Sequence, residues 1–177
     1  MNKLSPTKKL TLGAMCIALT ILALFAAANI KVMKIASYFL SGVFIFALTY
    51  ERAYVMAILA FLASCGIGFL IIADKVMLIP YIALIGHYGI FKDFISEKIQ
   101  DKFVAFVVRM LYCNLFFAIA AVLGIFVFSA DVAEYLQGYK LWVVVGVFEA
   151  AFIGNDLLMS AVRMFYATRI RSALVGK

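Results

Sequence analysis

Six runs of apolar residues, divided by short clusters of charge, leave this chain few ways to fold. They occupy residues 9–29, 35–50, 53–72, 76–92, 103–129 and 141–168. Each is about the length that crosses a hydrocarbon core of roughly 30 Å. In lipid the backbone N–H and C=O groups must be satisfied within the protein, so runs of this length read as helices. Hydrophobic residues make up 67% of the 177 positions and charged residues 14%, a balance at odds with the polar surface of a water-soluble domain. The expected fold is all-α: one integral membrane domain over residues 1–177, built as a bundle of six transmembrane helices. The second and fourth runs are short, whereas the fifth and sixth are long enough to require tilt, a kink or protrusion. Ser5-Pro6 offers an N-cap and a first-turn proline to the first helix. That helix is read as retained, since it is long for a signal sequence and Asn29-Ile30-Lys31 lacks the small residues of a cleavage site.

An even number of spans puts both termini on one side. The terminal side collects ten basic residues: Lys3, Lys8, Lys9, Arg52, Lys92, Lys98, Lys102, Arg169, Arg171 and Lys177. The opposite side collects four, Lys31, Lys34, Lys75 and Lys140, while Arg109 and Arg163 fall inside spans. This bias predicts cytoplasmic termini. The same placement argues against nucleic acid as a partner despite a net charge of +7, because the cations flank apolar spans and form no stripe. Cys16, Cys65 and Cys113 are dispersed through the spans, with no pairing pattern and no metal-site spacing. No metal or cofactor is expected. With one histidine and no HExxH, GxSxG, P-loop or dinucleotide fingerprint, the chain reads as a non-enzyme.

The last span carries the most informative polar residues. Glu149, Asp156 and Arg163 recur at intervals of seven, so on a helix they share one face with a drift of only about 20° per step. Successive members lie about 10 Å apart along the axis, too far to pair with each other. Charge within the bilayer is costly, so this face is expected to look into the bundle, toward partners on other helices, a solute or water. Matching depths suggests His87 of the fourth span as a partner for Asp156, with Asn114 of the fifth at a comparable level. Arg109 and Arg163, nearer the cytoplasm, are expected to snorkel to headgroups. Glu149 is placed about 12 Å and Tyr81 about 8 Å below the outer end of their helices, on the wall of an outward-facing pocket between the fourth, fifth and sixth helices. Tyr88 and Tyr112 are further candidates for that lining. An acidic wall would favour a ligand carrying an amine or another donor.

Two connections stand out. The spacing of Phe91, Phe94, Ile95, Ile99 and Phe103 fits either a short amphipathic helix on the cytoplasmic surface or a solvated connector. The segment 130–140, ADVAEYLQGYK, reads as either a lid or a wet loop.

The first helix, KKLTLGAMCIALTILALFAAAN, holds Ala14 and Ala18 four apart with Gly13 alongside, small residues of the kind that let helices approach closely in lipid. Together with six spans and fewer than 200 residues, this resembles the substrate-binding S component of energy-coupling factor (ECF) transporters. The stretches 36–71 and DKVMLIPYIALIGHYGIFK (74–92) are similar to the corresponding regions of an S-component-like group of Gram-positive bacteria. The resemblance implies a multi-pass protein of the cell membrane. It would bind a vitamin, related micronutrient or metal ion from outside, and dock a transmembrane coupling subunit and its two ATPase subunits. Ala14 and Ala18 would then contact that partner, and Glu149, Tyr81, Asn114, His87 and Asp156 would serve the solute. The connection Ile30–Lys34 is shorter than the gating loop usual in that family. Two other readings stay open: a membrane scaffold or assembly protein held together by the polar face, and an autonomous proton-coupled carrier using His87, Asp156 and Glu149.

Overall fold

The computed structural model describes residues 5–128 and 141–170, and the side chains within 5–122 and 142–169. Every regular element among them is helical, and six helices are long and apolar enough to cross a membrane. They are α1 (Pro6–Asn29), α2 (Lys34–Tyr50), α3 (Tyr54–Ile71), α4 (Gly86–Lys98), α5 (Lys102–Phe128) and α6 (Leu141–Phe165). A 3-10 turn, Lys75–Leu78, and a π-helical turn, Tyr81–Ile85, lead into α4, and a second π-helical turn, Tyr166–Ile170, follows α6. The connection 130–140 lies outside the described residues.

Local chemistry sets the helix ends. Ser5 caps α1 as its sequence suggests, its Oγ accepting from the Lys8 N–H at 3.3 Å, with Pro6 in the first turn. Lys75 Nζ donates to the carbonyls of Phe69 and Ile72 and so satisfies the C-terminal end of α3. Asp74 Oδ1 accepts from the Val76 N–H and opens the turn toward α4. Asp101 Oδ1 accepts from the N–H groups of Phe103 (2.8 Å) and Val104 (3.2 Å) at the head of α5.

The segment around 91–103 corrects the sequence reading. No separate surface helix forms: α4 continues to Lys98, and only Ile99–Asp101 connects it to α5. Lys92 is therefore not a boundary residue but a buried one, 7% exposed, within α4.

α1 packs most closely on α2, with α3 against α1 and α4 against α2. Together with its lead-in turns, α4 is the most buried span, flanked by α2, α3 and α5. The core gathers Leu24, Tyr38, Phe46, Tyr81, Tyr88, Phe152 and Met159. Gly42 makes the approach of α2 possible. A Cβ there would stand 2.7 Å from Ile85 Cγ2, 2.9 Å from the Ile85 carbonyl oxygen and 3.0 Å from Met159 Cε, distances that only glycine avoids. The backbone of α6 comes nearest to α2, whereas long side chains bridge it to α4 and α5.

Candidate functional site

The face of α6 that carries Glu149, Asp156 and Arg163 looks into the bundle, and each of the three meets a partner on another helix. Asn114 Nδ2 of α5 donates to Glu149 Oε1 at 2.7 Å. Asp156 Oδ1 accepts from the Tyr88 hydroxyl and forms ion pairs with Lys92 and Arg109, both at 3.0 Å. Arg163 pairs with Asp93 at 3.2 Å, and Asp93 Oδ2 accepts from the Tyr54 hydroxyl at 3.2 Å. Lys92 reaches further along α6, donating to the Asp156 carbonyl and, at 2.6 Å, to Ser160 Oγ.

Several expectations change here. Asp156 draws its partners from α4, as depth suggested, but they are Tyr88 and Lys92 rather than His87. His87 points to the other side of α4, into a cage of Phe116, Tyr112 and Phe61 with ring centroids 4.1, 5.3 and 5.7 Å away. Arg109 does not snorkel: its side chain is 11% exposed and held by Asp156. Arg163 is half exposed yet turns to Asp93. The cluster thus sets three cations, Lys92, Arg109 and Arg163, against two carboxylates, Asp93 and Asp156. With no nucleophile–base pair in it, its chemistry is that of a clamp: it ties α6 to α4 and α5 across a stretch where hydrophobic driving force between helices is absent.

The five residues assigned to a solute do not share one cavity. Tyr81 is fully buried against Phe61. Glu149 and Asn114 occupy each other, Asp156 belongs to the ion cluster, and His87 lines a groove between α3, α4 and α5. A different cavity, of about 310 Å³, lies in the half of the bundle away from the described terminal ends. Lys34 and Tyr38 of α2, Val76, Met77, Ile79 and Pro80 before α4, Phe117 of α5 and Val144 of α6 form much of its wall. Tyr38 is fixed there, its hydroxyl donating to the Met77 carbonyl at 2.5 Å. Tyr88 sits in the ion cluster, and Tyr112 lines the groove with His87. Ala14 and Ala18 lie exposed on the outward face of α1, while Gly13 and Cys16 turn inward.

Sequence reasoning passed over two groups. Lys34 was counted only as a flanking charge, though it lines the cavity. Asn155, beside Asp156, is fully buried, and neither atom of its amide finds a hydrogen-bond partner among the described residues. Its place within an apolar helix, one residue from an acid, was the available signal.

No protein-family model, no curated protein and no solved structure matches this chain.

Proposed function

We propose that this is a multi-pass protein of a bacterial cell membrane, with both termini in the cytoplasm, that captures a small solute from outside and passes it inward with an ATP-driven partner module. The role is that of an ECF-type S component. The carrying observation is the 310 Å³ cavity among α2, the approach to α4, α5 and α6, in the half away from the described terminal ends. Its volume falls at the small end of ligand pockets. Its wall is largely apolar, with Lys34 as its cation and the Tyr38 hydroxyl nearby. This chemistry suits a solute with an apolar body and an anionic group, such as a carboxylated micronutrient, more than the amine that an acidic wall would select. Glu149 and Asn114 stand about one turn deeper and offer the next polar contact. With Lys92 moved into the interior, nine basic residues on the terminal side still outnumber four on the other, in keeping with cytoplasmic termini. The exposed Ala14 and Ala18 leave α1 a smooth face for a coupling subunit.

The test is native mass spectrometry of protein released from lipid nanodiscs. We expect a retained anionic small molecule whose occupancy falls at least tenfold in Lys34→Ala. Wild-type spectra holding lipid alone, or a retained solute indifferent to Lys34→Ala, would rule the cavity out as the capture site. Bulky replacements of Ala14 and Ala18 are expected to abolish co-purification with a coupling module while leaving solute retention intact.

One observation favours the scaffold reading: the ionisable residues of the α6 face all have protein partners. Under that reading Glu149→Gln and Asp156→Asn lower thermal stability, and no solute is retained by any variant.

A further inference from the structure

The groove that holds His87 is separate from the solute cavity and lies toward the terminal half of the bundle. It runs along α4 from His87 to Glu97, ten residues or about 15 Å, with α3 and α5 as its banks. Its volume is about 580 Å³. Ile58, Leu62 and Phe94 at its mouth are 47%, 57% and 43% exposed, so in a bilayer the opening faces acyl chains. At its head, His87 is 6% exposed, and neither ring nitrogen makes a hydrogen bond of acceptable geometry, although the Ile82 and Ala83 carbonyls of the preceding turn lie beside it. A buried imidazole left without partners at membrane depth is costly, and a ligand that supplies one removes the cost.

The shape and chemistry narrow the occupant. A partner helix about 10 Å across would need about 1,200 Å³ over this length, twice the space available. A phospholipid headgroup finds no complement, because the charged residue lining the groove is Glu97, an anion already paired with Arg52 at 3.0 Å. The Tyr54 hydroxyl is committed to Asp93. What remains is an aromatic slot with one imidazole. A neutral imidazole offers one donor and one acceptor, and the rings of Phe61, Tyr112 and Phe116 favour a flat ring by stacking or edge contact.

We propose that this groove binds a lipid-soluble quinone. Its ring sits against His87, Tyr112 and Phe116, with a ring carbonyl, or the hydroxyl of the quinol, hydrogen-bonded to the imidazole. Its prenyl tail leaves past Ile58 and Leu62 into the bilayer. The site is one of binding; no electron transfer is assigned to it.

His87 is the one histidine of the chain, so a single set of imidazole signals reports the site directly. The experiment titrates nanodisc-embedded protein, labelled with 15N-histidine, with a naphthoquinone carrying two isoprene units, and follows those signals by NMR. An isoprenoid hydrocarbon of equal tail length serves as the control. Expected is a saturable shift of the imidazole signals with the quinone and none with the hydrocarbon. Leu62→Trp, a lipid-facing change that blocks the mouth without touching the core, should abolish the shift. In His87→Phe, binding measured by retention of the quinone on the nanodisc should weaken at least tenfold. Absence of a saturable shift, an equal shift with the hydrocarbon, or a shift unaltered in Leu62→Trp would overturn the proposal.

Discussion

Asp156 faces two cations, Lys92 and Arg109, whose side chains are 9% and 11% exposed. That count sets the rank of substitutions. Asp156→Asn strands two buried cations together, and removing one side of such a pair costs about 3–5 kcal/mol. Lys92→Met leaves Asp156 matched one to one with Arg109 and is expected to cost less. Arg163, with its side chain 48% exposed, can reach solvent when unpaired, so Arg163→Ala is expected to cost about 1 kcal/mol or less. Thermal unfolding of the three variants in one detergent checks the order Asp156→Asn, Lys92→Met, Arg163→Ala; an Asp156→Asn variant as stable as wild type would remove the clamp. At this scale the shared face of Glu149, Asp156 and Arg163 was legible, because seven residues make nearly two turns whatever surrounds the helix. Their partners were legible only in depth. His87 and Tyr88 differ by one residue and hence by little height, but by about 100° around the axis. Rotation decides which of them meets Asp156, and hydropathy in a helix apolar on nearly all sides carries no information about rotation.

At the scale of elements, α4 departs most from its sequence pattern. Lys92, Asp93, Glu97 and Lys98 gave its second half the look of a wet surface segment, yet the helix runs through them without a break. Asp93 and Lys92 are satisfied by Arg163 and Asp156, and Glu97 by Arg52 from the turn between α2 and α3. Charges satisfied by other helices do not need water, and a single run of sequence does not display those helices. Arg52 itself occupies a left-handed conformation, φ 54°, in that tight turn. The contact of α2 with the π-helical turn yields a further prediction. Gly42→Leu must push Ile85 or Met159 aside, and overpacking of this kind costs about 1–3 kcal/mol. The variant should unfold at lower temperature, while the same change at Gly154, where an added Cβ meets nothing within 4 Å, should be close to neutral.

For the whole molecule, the proposed orientation is open to a direct check. Val32, between α1 and α2, is 97% exposed, and Gln100 lies in the connection between α4 and α5 at the other end. In a background without native cysteines, Val32→Cys should react with a membrane-impermeant thiol reagent on intact cells, and Gln100→Cys only after permeabilisation. The reverse pattern would invert the topology and move the Lys34 cavity to the cytoplasmic side. The sequence by itself determined that this chain is a bundle of six membrane-length helices, because length and apolarity are local properties and lipid leaves the backbone little alternative. Only the tertiary structure decided which polar groups pair, that Lys34 rather than Glu149 lines the cavity opposite the termini, and that His87 stands apart in an aromatic groove. Those outcomes depend on how each helix is turned about its own axis and how closely small residues such as Gly42 let its neighbours approach, and neither quantity is written in any one helix alone.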